Sequence, residues 1–294
     1  MLLIDYLHSS TTTFIIVAGI LGLLIGSFLN VVIHRLPLMM EAEWRRQCAD
    51  LTDQPVTKYP PPLNLVTPRS RCPHCGHAIT ALENIPIISY LCLKGACSAC
   101  AKPISLRYPM IEALTGVLTG LVAWHFGWGW PAAAAMLLTW ALIALSAIDL
   151  DHQLLPDSIT LPLVWIGLCL SLFGSTGLFV DSHSSIIGAL AGYLSLWLVY
   201  QLFKQLTGKE GMGYGDFKLF AVFGAWLGWE VLPAIILISS LVGAAVGITL
   251  IAVRGRDRNL PIPFGPYLAA AGWIALLWGG QITQAYLEWA HLAP

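Results

Sequence analysis

Long apolar segments, separated by shorter polar ones, run along almost the whole chain. A helix that crosses a bilayer needs about 20 mostly apolar residues, and the sequence offers eight stretches of about that length. They cover residues 13–33, 109–128, 131–148, 159–179, 186–203, 217–232, 233–253 and 264–286. The sixth stretch is short and runs into Pro233. The pattern predicts an all-α polytopic membrane protein with about eight transmembrane helices.

Composition agrees with this pattern. Of the 294 residues, 57% are hydrophobic and only 11% are charged, and the mean hydropathy is +0.73. These values exclude a water-soluble globule of this size. The first stretch is too long for a signal-peptide core and lacks a basic start, so it is expected to span the membrane. The net charge of -1 gives no reason to expect a nucleic-acid partner.

Basic residues indicate the orientation in the membrane. All 15 Lys and Arg fall within residues 35–107, 204–218 and 254–258, which lie on alternate connections between the apolar stretches. Connections rich in Lys and Arg stay in the cytoplasm. The sequence therefore predicts that these three segments face the cytoplasm and that both termini face the outside.

One segment, residues 37–107, is polar enough to form an extramembrane module. The predicted domains are thus an N-terminal transmembrane helix (1–36), a cytoplasmic module (37–107) and a seven-helix membrane domain (108–294). The module begins with a proline-rich stretch at 59–62. A small, loop-rich segment of this kind needs a staple rather than a core of its own.

Four cysteines can supply that staple. Cys72 and Cys75 form one Cys-x2-Cys pair and Cys97 and Cys100 form another, which is zinc-ribbon spacing. Two disulfides are the alternative, and a reducing cytoplasm favours zinc. Four thiolates close a structural site with no open position for catalysis. His74, His77 and Cys92 lie nearby and could replace one of these ligands. Cys48 and Cys169 are expected to be unpaired small side chains and not ligands.

Two acidic sites interrupt the apolar pattern. Asp149 ends the third stretch, followed by Asp151, Pro156 and Asp157. Acids at a membrane are energetically expensive and need a reason to be there. They are either functional or ordinary interfacial loop residues, and for Asp151 and Asp157 both interpretations stay open.

Asp216 ends a Gly-x-Gly-Asp sequence at 213–216, on the same predicted face of the membrane. Glycine lets the chain turn sharply and approach a partner closely, although Asp216 could also be a plain helix cap. Two isolated acids on one face, each beside a backbone breaker, favour a pair. Two adjacent carboxylates share one proton, so one can act as base and the other as acid. We predict that Asp149 and Asp216 form such a catalytic dyad.

At these residues the chain resembles the type IV prepilin leader peptidases, bacterial membrane aspartic proteases that carry a Gly-x-Gly-Asp motif. The resemblance covers nearly the whole chain. Residues 26–37 are similar to the first-helix signature of the family, and the two Cys-x2-Cys pairs, residues 107–109 and Glu112 follow in family order. Asp149 and Asp216 correspond to the two catalytic aspartates of the family.

The resemblance implies an enzyme of the bacterial inner membrane with periplasmic termini. Such enzymes remove the leader of type IV prepilins and type II secretion pseudopilins on the cytoplasmic side. Many also N-methylate the new N-terminal residue, usually Phe, using S-adenosylmethionine. The resemblance makes Lys94, Gly95 and Glu112 candidate cofactor residues. It also makes residues 26–37 candidates for contact with the substrate. The alternatives are a charged turn between the cysteine pairs for 94–95, a carboxylate facing the helix dipole for Glu112, and a packing surface with a proline exit for 26–37.

Two other functions stay open on the residues alone. The first is a cation-coupled transporter in which Asp149 and Asp216 hold the ion. The second is a non-catalytic assembly scaffold with a zinc module. A cleavage assay with a prepilin separates all three. The sequence assigns no oligomeric state.

Overall fold

The computed structural model describes residue 8 and residues 10–52, 63–173, 177–254 and 262–289. Within these ranges the secondary structure is helical apart from two isolated β-bridges. The proline-rich stretch 59–62, Arg256 and Arg258, and residues 290–294 lie outside them. The described helices are α1 (Thr11–Thr52), α2 (Ile88–Cys92), α3 (Arg107–Phe126), α4 (Trp130–His152), α5 (Asp157–Leu170), α6 (Ser182–Thr207), α7 (Tyr214–Leu227), α8 (Leu232–Arg254) and α9 (Gly265–Trp289).

Each of the eight apolar stretches overlaps one of the helices α1 and α3–α9. By length and composition, four of these helices can cross a membrane, namely Thr11–Thr52, Trp130–His152, Ser182–Thr207 and Leu232–Val253. α5 is apolar but shorter, and α7 has only 14 residues. The chain therefore has the helices of an integral membrane protein, and a count of eight membrane crossings stays a prediction.

The first helix continues beyond the predicted proline exit. α1 runs through Pro37 to Thr52, so residues 37–52, assigned from the sequence to the module, are helical. Proline removes one backbone hydrogen bond, but helices of membrane proteins tolerate it when neighbouring groups compensate. The following residues are mostly good helix formers, and Arg45 donates to Glu41 across 2.6 Å, one turn away.

The chain divides into two compact units, Met1–Ala132 and Ala133–Pro294. In the first unit, α1 packs antiparallel against α3 through small residues. A Cβ atom added at Gly22 would lie 2.6 Å from Oγ1 of Thr119, and one at Gly26 would lie 2.7 Å from Cα of Glu112. Such close backbone approach is the usual role of glycine in membrane helices. It places Glu112 directly against α1.

In the second unit, α7 is the central helix. It packs against α5, α6, α8 and α9, and ten of its residues are buried. Gly224 of α7 meets Gly188 of α6 backbone to backbone. The indole Nε1 of Trp226 donates to the carbonyl oxygen of Leu163 across 2.8 Å. A short helix enclosed in this way holds its first turn, and hence Asp216, firmly in place.

Candidate functional site

Asp149 lies in the last turn of α4 and is only 5% exposed. Its Oδ2 accepts a hydrogen bond of 3.0 Å from the backbone N–H of Gly265, the first residue of α9. The first N–H groups of a helix have no partner within that helix, so α9 has a free donor at this point. That donor fixes the orientation of the Asp149 carboxyl.

Asp216 lies in the first turn of α7 and is 7% exposed. Gly213 is the N-cap residue of that helix, and its backbone is extended. Gly215, directly before Asp216, lies against Leu155, because a Cβ atom added there would be 2.6 Å from the Cβ of Leu155. The glycines of the motif therefore allow close packing beside the acid.

The structure brings the two predicted acids together in the second unit. The charge of Asp149 acts on the carboxyl group of Asp216. Leu155 contacts both sides of the site, since its Cδ2 would lie 3.2 Å from a Cβ atom at Gly265 and its Cβ faces Gly215. Two buried carboxyls in one site can share a proton and exchange roles as acid and base.

The neighbouring acids have other surroundings. Asp157 begins α5, and its Oδ1 and Oδ2 lie 2.6 and 2.7 Å from Nζ of Lys218, two residues after Asp216. This ion pair ties the start of α5 to the start of α7. Asp151 is exposed on the last turn of α4.

The four predicted cysteine ligands form one cluster in the first unit. Their Sγ atoms all lie within 4.8 Å of one another, and the pairs Cys72–Cys100 and Cys75–Cys97 are each 3.9 Å apart. A tetrahedral zinc ion with bonds of about 2.3 Å separates its sulfur ligands by about 3.8 Å, whereas a disulfide needs about 2.05 Å. The donor set therefore fits one zinc ion. Cys92 is exposed and does not belong to the cluster.

Both cysteine pairs sit in the same kind of turn. In the first turn, the carbonyl oxygen of Cys72 accepts a hydrogen bond from the N–H of Gly76, and the N–H of Cys72 donates to the carbonyl oxygen of His77, each across 2.9 Å. In the second, Cys97 does the same with Ala101 and Lys102. The Cys75 and His74 backbone N–H groups lower the pKa of the Cys72 thiol to about 6, which favours the thiolate that binds metals.

Glu83 connects the two cysteine turns. Its carboxylate accepts hydrogen bonds from the Ser98 hydroxyl and from the N–H of Thr80 at 2.8 Å, and it lies 3.2 Å from Nε2 of His77. The Ser98 bond, followed by the Thr80 N–H, lowers the pKa of Glu83 to about 2. Glu83 was not singled out from the sequence. A lone carboxylate between two cysteine pairs is the signal that could have found it.

The first unit also contains a cavity of about 660 Å³. One face of α1 lines it at residues 27, 30, 31, 34, 35 and 38, together with the start of α3 and the cysteine module. Glu112 belongs to its wall and is 8% exposed. Its Oε2 accepts the N–H of Ile87 across 2.8 Å, and the Ser27 side chain is a second partner.

Comparison with known proteins fits these features. A family model described as "Bacterial Peptidase A24 N-terminal domain" matches residues 20–126, and one described as "Type IV leader peptidase family" matches residues 136–248. The chain belongs to the type IV leader peptidase family.

Several proteins are similar to this type IV leader peptidase family member over nearly their full length. A prepilin leader peptidase/N-methyltransferase of Stutzerimonas stutzeri is 56% identical over 289 residues, which cover 98% of this chain and 99% of that protein. Proteins of the same name from Pseudomonas aeruginosa and Legionella pneumophila are 55% and 47% identical, covering 98% and 92% of this chain and 98% and 94% of their own lengths. No solved structure matches.

Lys94 and Gly95 are placed differently from Glu112. Neither residue lines the cavity. Both have positive φ, and Gly95 donates its N–H to the carbonyl oxygen of Tyr90 across 2.8 Å. A Cβ atom at Gly95 would lie 2.8 Å from the Tyr90 hydroxyl oxygen. This geometry suits a tight turn beside Cys97, and the cofactor role of Lys94 and Gly95 stays a prediction.

No individual role was predicted from the sequence for two further residues of this family member, although Arg35 lies within the 26–37 segment. Gly265 contributes a backbone N–H to the Asp149 carboxyl. The signal was a glycine between Phe264 and Pro266 at the start of an apolar stretch, the same kind of backbone breaker that drew notice to Asp216. Arg35 is 8% exposed at the cavity wall, and its signal was a basic residue within a helix close to the apolar core.

Proposed function

We propose that the chain is a membrane aspartic endopeptidase in which Asp149 and Asp216 are the catalytic residues. It removes the leader peptide of type IV prepilins and type II secretion pseudopilins. The observation that carries the proposal is the pair of buried carboxyls on α4 and α7, one of them held by the N–H of Gly265. Membership of the family favours this function over the transporter and the scaffold.

The dyad needs only groups that the chain supplies and one water molecule. One carboxylate takes a proton from the water, whose oxygen attacks the carbonyl carbon of the scissile bond, while the protonated partner donates to the carbonyl oxygen. When the C–N bond breaks, the first carboxyl gives its proton to the leaving nitrogen, and a hydroxyl of the tetrahedral intermediate returns its proton to the partner carboxylate as the new carboxyl group forms. The pair ends with one shared proton, as it began. The Gly265 N–H keeps one carboxyl oriented throughout the cycle.

The proposed enzyme crosses the bacterial inner membrane with about eight helices and periplasmic termini. The cysteine module and both aspartates then face the cytoplasm, where prepilin leaders lie. The distribution of Lys and Arg supports this orientation. So does the pairing of Lys218 with Asp157 beside the start of α7, because positively charged side chains mark the cytoplasmic ends of helices.

In this proposal the four cysteines hold one structural zinc ion, which closes the module without taking part in the reaction. The module keeps the domain limits predicted from the sequence, residues 37–107, with α1 projecting into it. The transmembrane helix 1–36 precedes the module, and the membrane domain 108–294 that carries the dyad follows it.

We further propose that the enzyme N-methylates the new N-terminal residue. S-adenosylmethionine supplies the methyl group to that amine. The cavity of the first unit fits such a ligand, because small-molecule sites range from about 300 to 1,000 Å³. Glu112, a buried carboxylate on its wall, is suited to a cationic amine or sulfonium group. Lys94 and Gly95 stay candidates for shaping the module around this site.

A cleavage assay with purified full-length protein and a prepilin tests the peptidase. Asp149→Asn and Asp216→Asn should each abolish cleavage while the protein still inserts into the membrane, because an amide neither ionises nor shares a proton. Asp151→Asn makes the same chemical change at an exposed position on α4 and should keep cleavage. Near wild-type cleavage by either of the first two variants would disprove the dyad.

A further inference from the structure

Arg35 is a buried cation with no anion beside it among the described residues. It is 8% exposed, and its guanidinium donates to the carbonyl oxygens of Asn64 and Pro68 across 2.9 and 2.7 Å. A guanidinium has five N–H donors, and these two bonds use only part of them. Among the residues that the structure describes, no carboxylate forms an ion pair with Arg35. A buried charge of this kind is costly unless a ligand neutralises it.

The carboxylates of the same cavity do not meet this need. Glu83 is engaged with Ser98, Thr80 and His77. Glu112 is held at the Ser27 level of α1, eight residues before Arg35. At 1.5 Å per residue, this separates the two levels by about 12 Å along the helix. The cavity therefore has an acidic group near one end of its α1 wall and a basic group near the other.

Three further basic side chains belong to the cavity wall. Arg69, Arg71 and Lys102 also line the cavity. A guanidinium binds a carboxylate through two parallel hydrogen bonds better than any other side chain does. The ligand of this position should therefore carry a carboxylate at one end and a positive charge further along.

We propose that Arg35 binds the α-carboxylate of the methionine portion of S-adenosylmethionine. This inference rests on the proposed methyltransferase function and adds to it the residue that anchors the methyl donor. S-adenosylmethionine has one carboxylate, and its sulfonium lies several bonds away. Arg35 thereby holds the methionine carboxylate, and the sulfonium that Glu112 attracts lies further along the same ligand.

Direct binding to the full-length protein in detergent tests the assignment without reference to turnover. The probes are S-adenosylmethionine and its decarboxylated analogue, measured by isothermal titration calorimetry. The wild type should bind S-adenosylmethionine about 10- to 100-fold more tightly than the analogue, the usual range for a charged hydrogen-bonded pair. Arg35→Gln should weaken the binding of S-adenosylmethionine by the same factor and leave the affinity for the analogue within about twofold of the wild-type value. The variant should therefore bind the two ligands with nearly equal affinity.

Two matched variants complete the experiment. Arg69→Gln makes the same change at an exposed arginine of the wall and should keep most of the discrimination between the ligands. Arg35→Lys retains the charge but loses the two parallel bonds, so it should restore part of the discrimination. Zinc content serves as the control for folding of the module.

The possible failures are distinguishable. A wild type that binds neither ligand would overturn the proposed methyl donor and leave cleavage by the dyad untouched. A wild type that binds both equally would retain a donor site and overturn the role of Arg35. Arg35→Gln and Arg35→Lys could also weaken the binding of both ligands equally. That result would overturn the role of Arg35 in binding the carboxylate, because Arg35 would then only support the cavity wall through Asn64 and Pro68.

Discussion

The backbone N–H of Gly265 donates to Oδ2 of Asp149 across 3.0 Å, although the two residues are 116 positions apart in the sequence. A Cβ atom at Gly265 would lie 2.6 Å from the same oxygen. The start of α9 therefore touches the Asp149 carboxyl so closely that only glycine fits. The N–H orients the carboxyl, and the missing side chain leaves it room.

We expect Gly265→Ala to reduce prepilin cleavage by about 100-fold. The added methyl group must displace the carboxyl of Asp149, and a shift of about 1 Å in a catalytic group can cost that much. Initial rates of leader removal by purified protein measure the effect. Gly280→Ala is the matched control on α9, because a Cβ atom there would meet nothing within 4 Å. If both variants cleave equally well, Gly265 has no part in positioning Asp149.

The ion pair between Lys218 and Asp157 should help position Asp216. Lys218 is two residues after Asp216, and the pair is partly exposed, with side-chain exposures of 24% and 54%. We expect Lys218→Met to reduce cleavage several-fold and to cost no more than about 1 kcal/mol in stability. Thermal unfolding in detergent and cleavage rates measure the two effects.

A double-mutant cycle separates the ion pair from other roles of these residues. Asp157→Asn alone should resemble Lys218→Met, and the double variant should be little worse than either. Lys209→Met, which removes an exposed lysine outside the pair, should cleave normally. Fully additive losses would show that the two residues do not act on Asp216 as a unit.

The helical stretches and the four residues of the cysteine cluster could be predicted from the sequence, because each depends on local signals. Apolar length indicates a helix, and Cys-x2-Cys spacing indicates a metal knuckle. A helix exit at Pro37 was one interpretation of residues 26–37, and α1 instead continues to Thr52, because a proline reveals the loss of one hydrogen bond and not whether the following residues continue the helix. Among the helices in the described part of the chain, four are long and apolar enough to cross a membrane, so eight crossings stay a prediction.

Contacts between distant segments could not be predicted. Gly265 reaches Asp149 only because α9 returns to the end of α4. Glu83 matters only because the second cysteine turn brings Ser98 to it. Asp157 was ambiguous until Lys218 was placed opposite. In each case the sequence contained a suitable residue, and the tertiary structure supplied its partner.

The purified protein should contain about one zinc ion per chain. Cys72→Ser and Cys100→Ser should each lose most of the metal, since a structural zinc site needs all four ligands. Cys92→Ser, the same change at an exposed cysteine outside the cluster, should keep it. Elemental analysis gives the stoichiometry. Zinc-free native protein with four free thiols would rule out the metal site.

Glu83→Gln should release zinc to a chelator about tenfold faster than the wild type, because the amide loses the charge that holds Ser98 and Thr80. The folded-state pKa of about 2 lies below the ordinary value of about 4.3. The stabilisation is therefore complete above pH 4.3 and is lost only as the pH falls through 2. The rate ratio of variant to wild type should stay constant between about pH 6 and 8, and a ratio that falls toward one in that range would contradict this role.

The final prediction separates cleavage from methylation. The methyl acceptor is the amine that cleavage creates, so Asp149→Asn should yield no methylated product from full-length prepilin. Transfer to an existing amine requires positioning and no carboxylate dyad. The same variant should therefore methylate a pilin that already lacks its leader, at a rate within about twofold of the wild type, when S-adenosylmethionine is supplied. Mass spectrometry of the pilin N-terminus measures both reactions. Failure on the precleaved pilin, with zinc content and membrane insertion unchanged, would mean that the dyad also serves methylation.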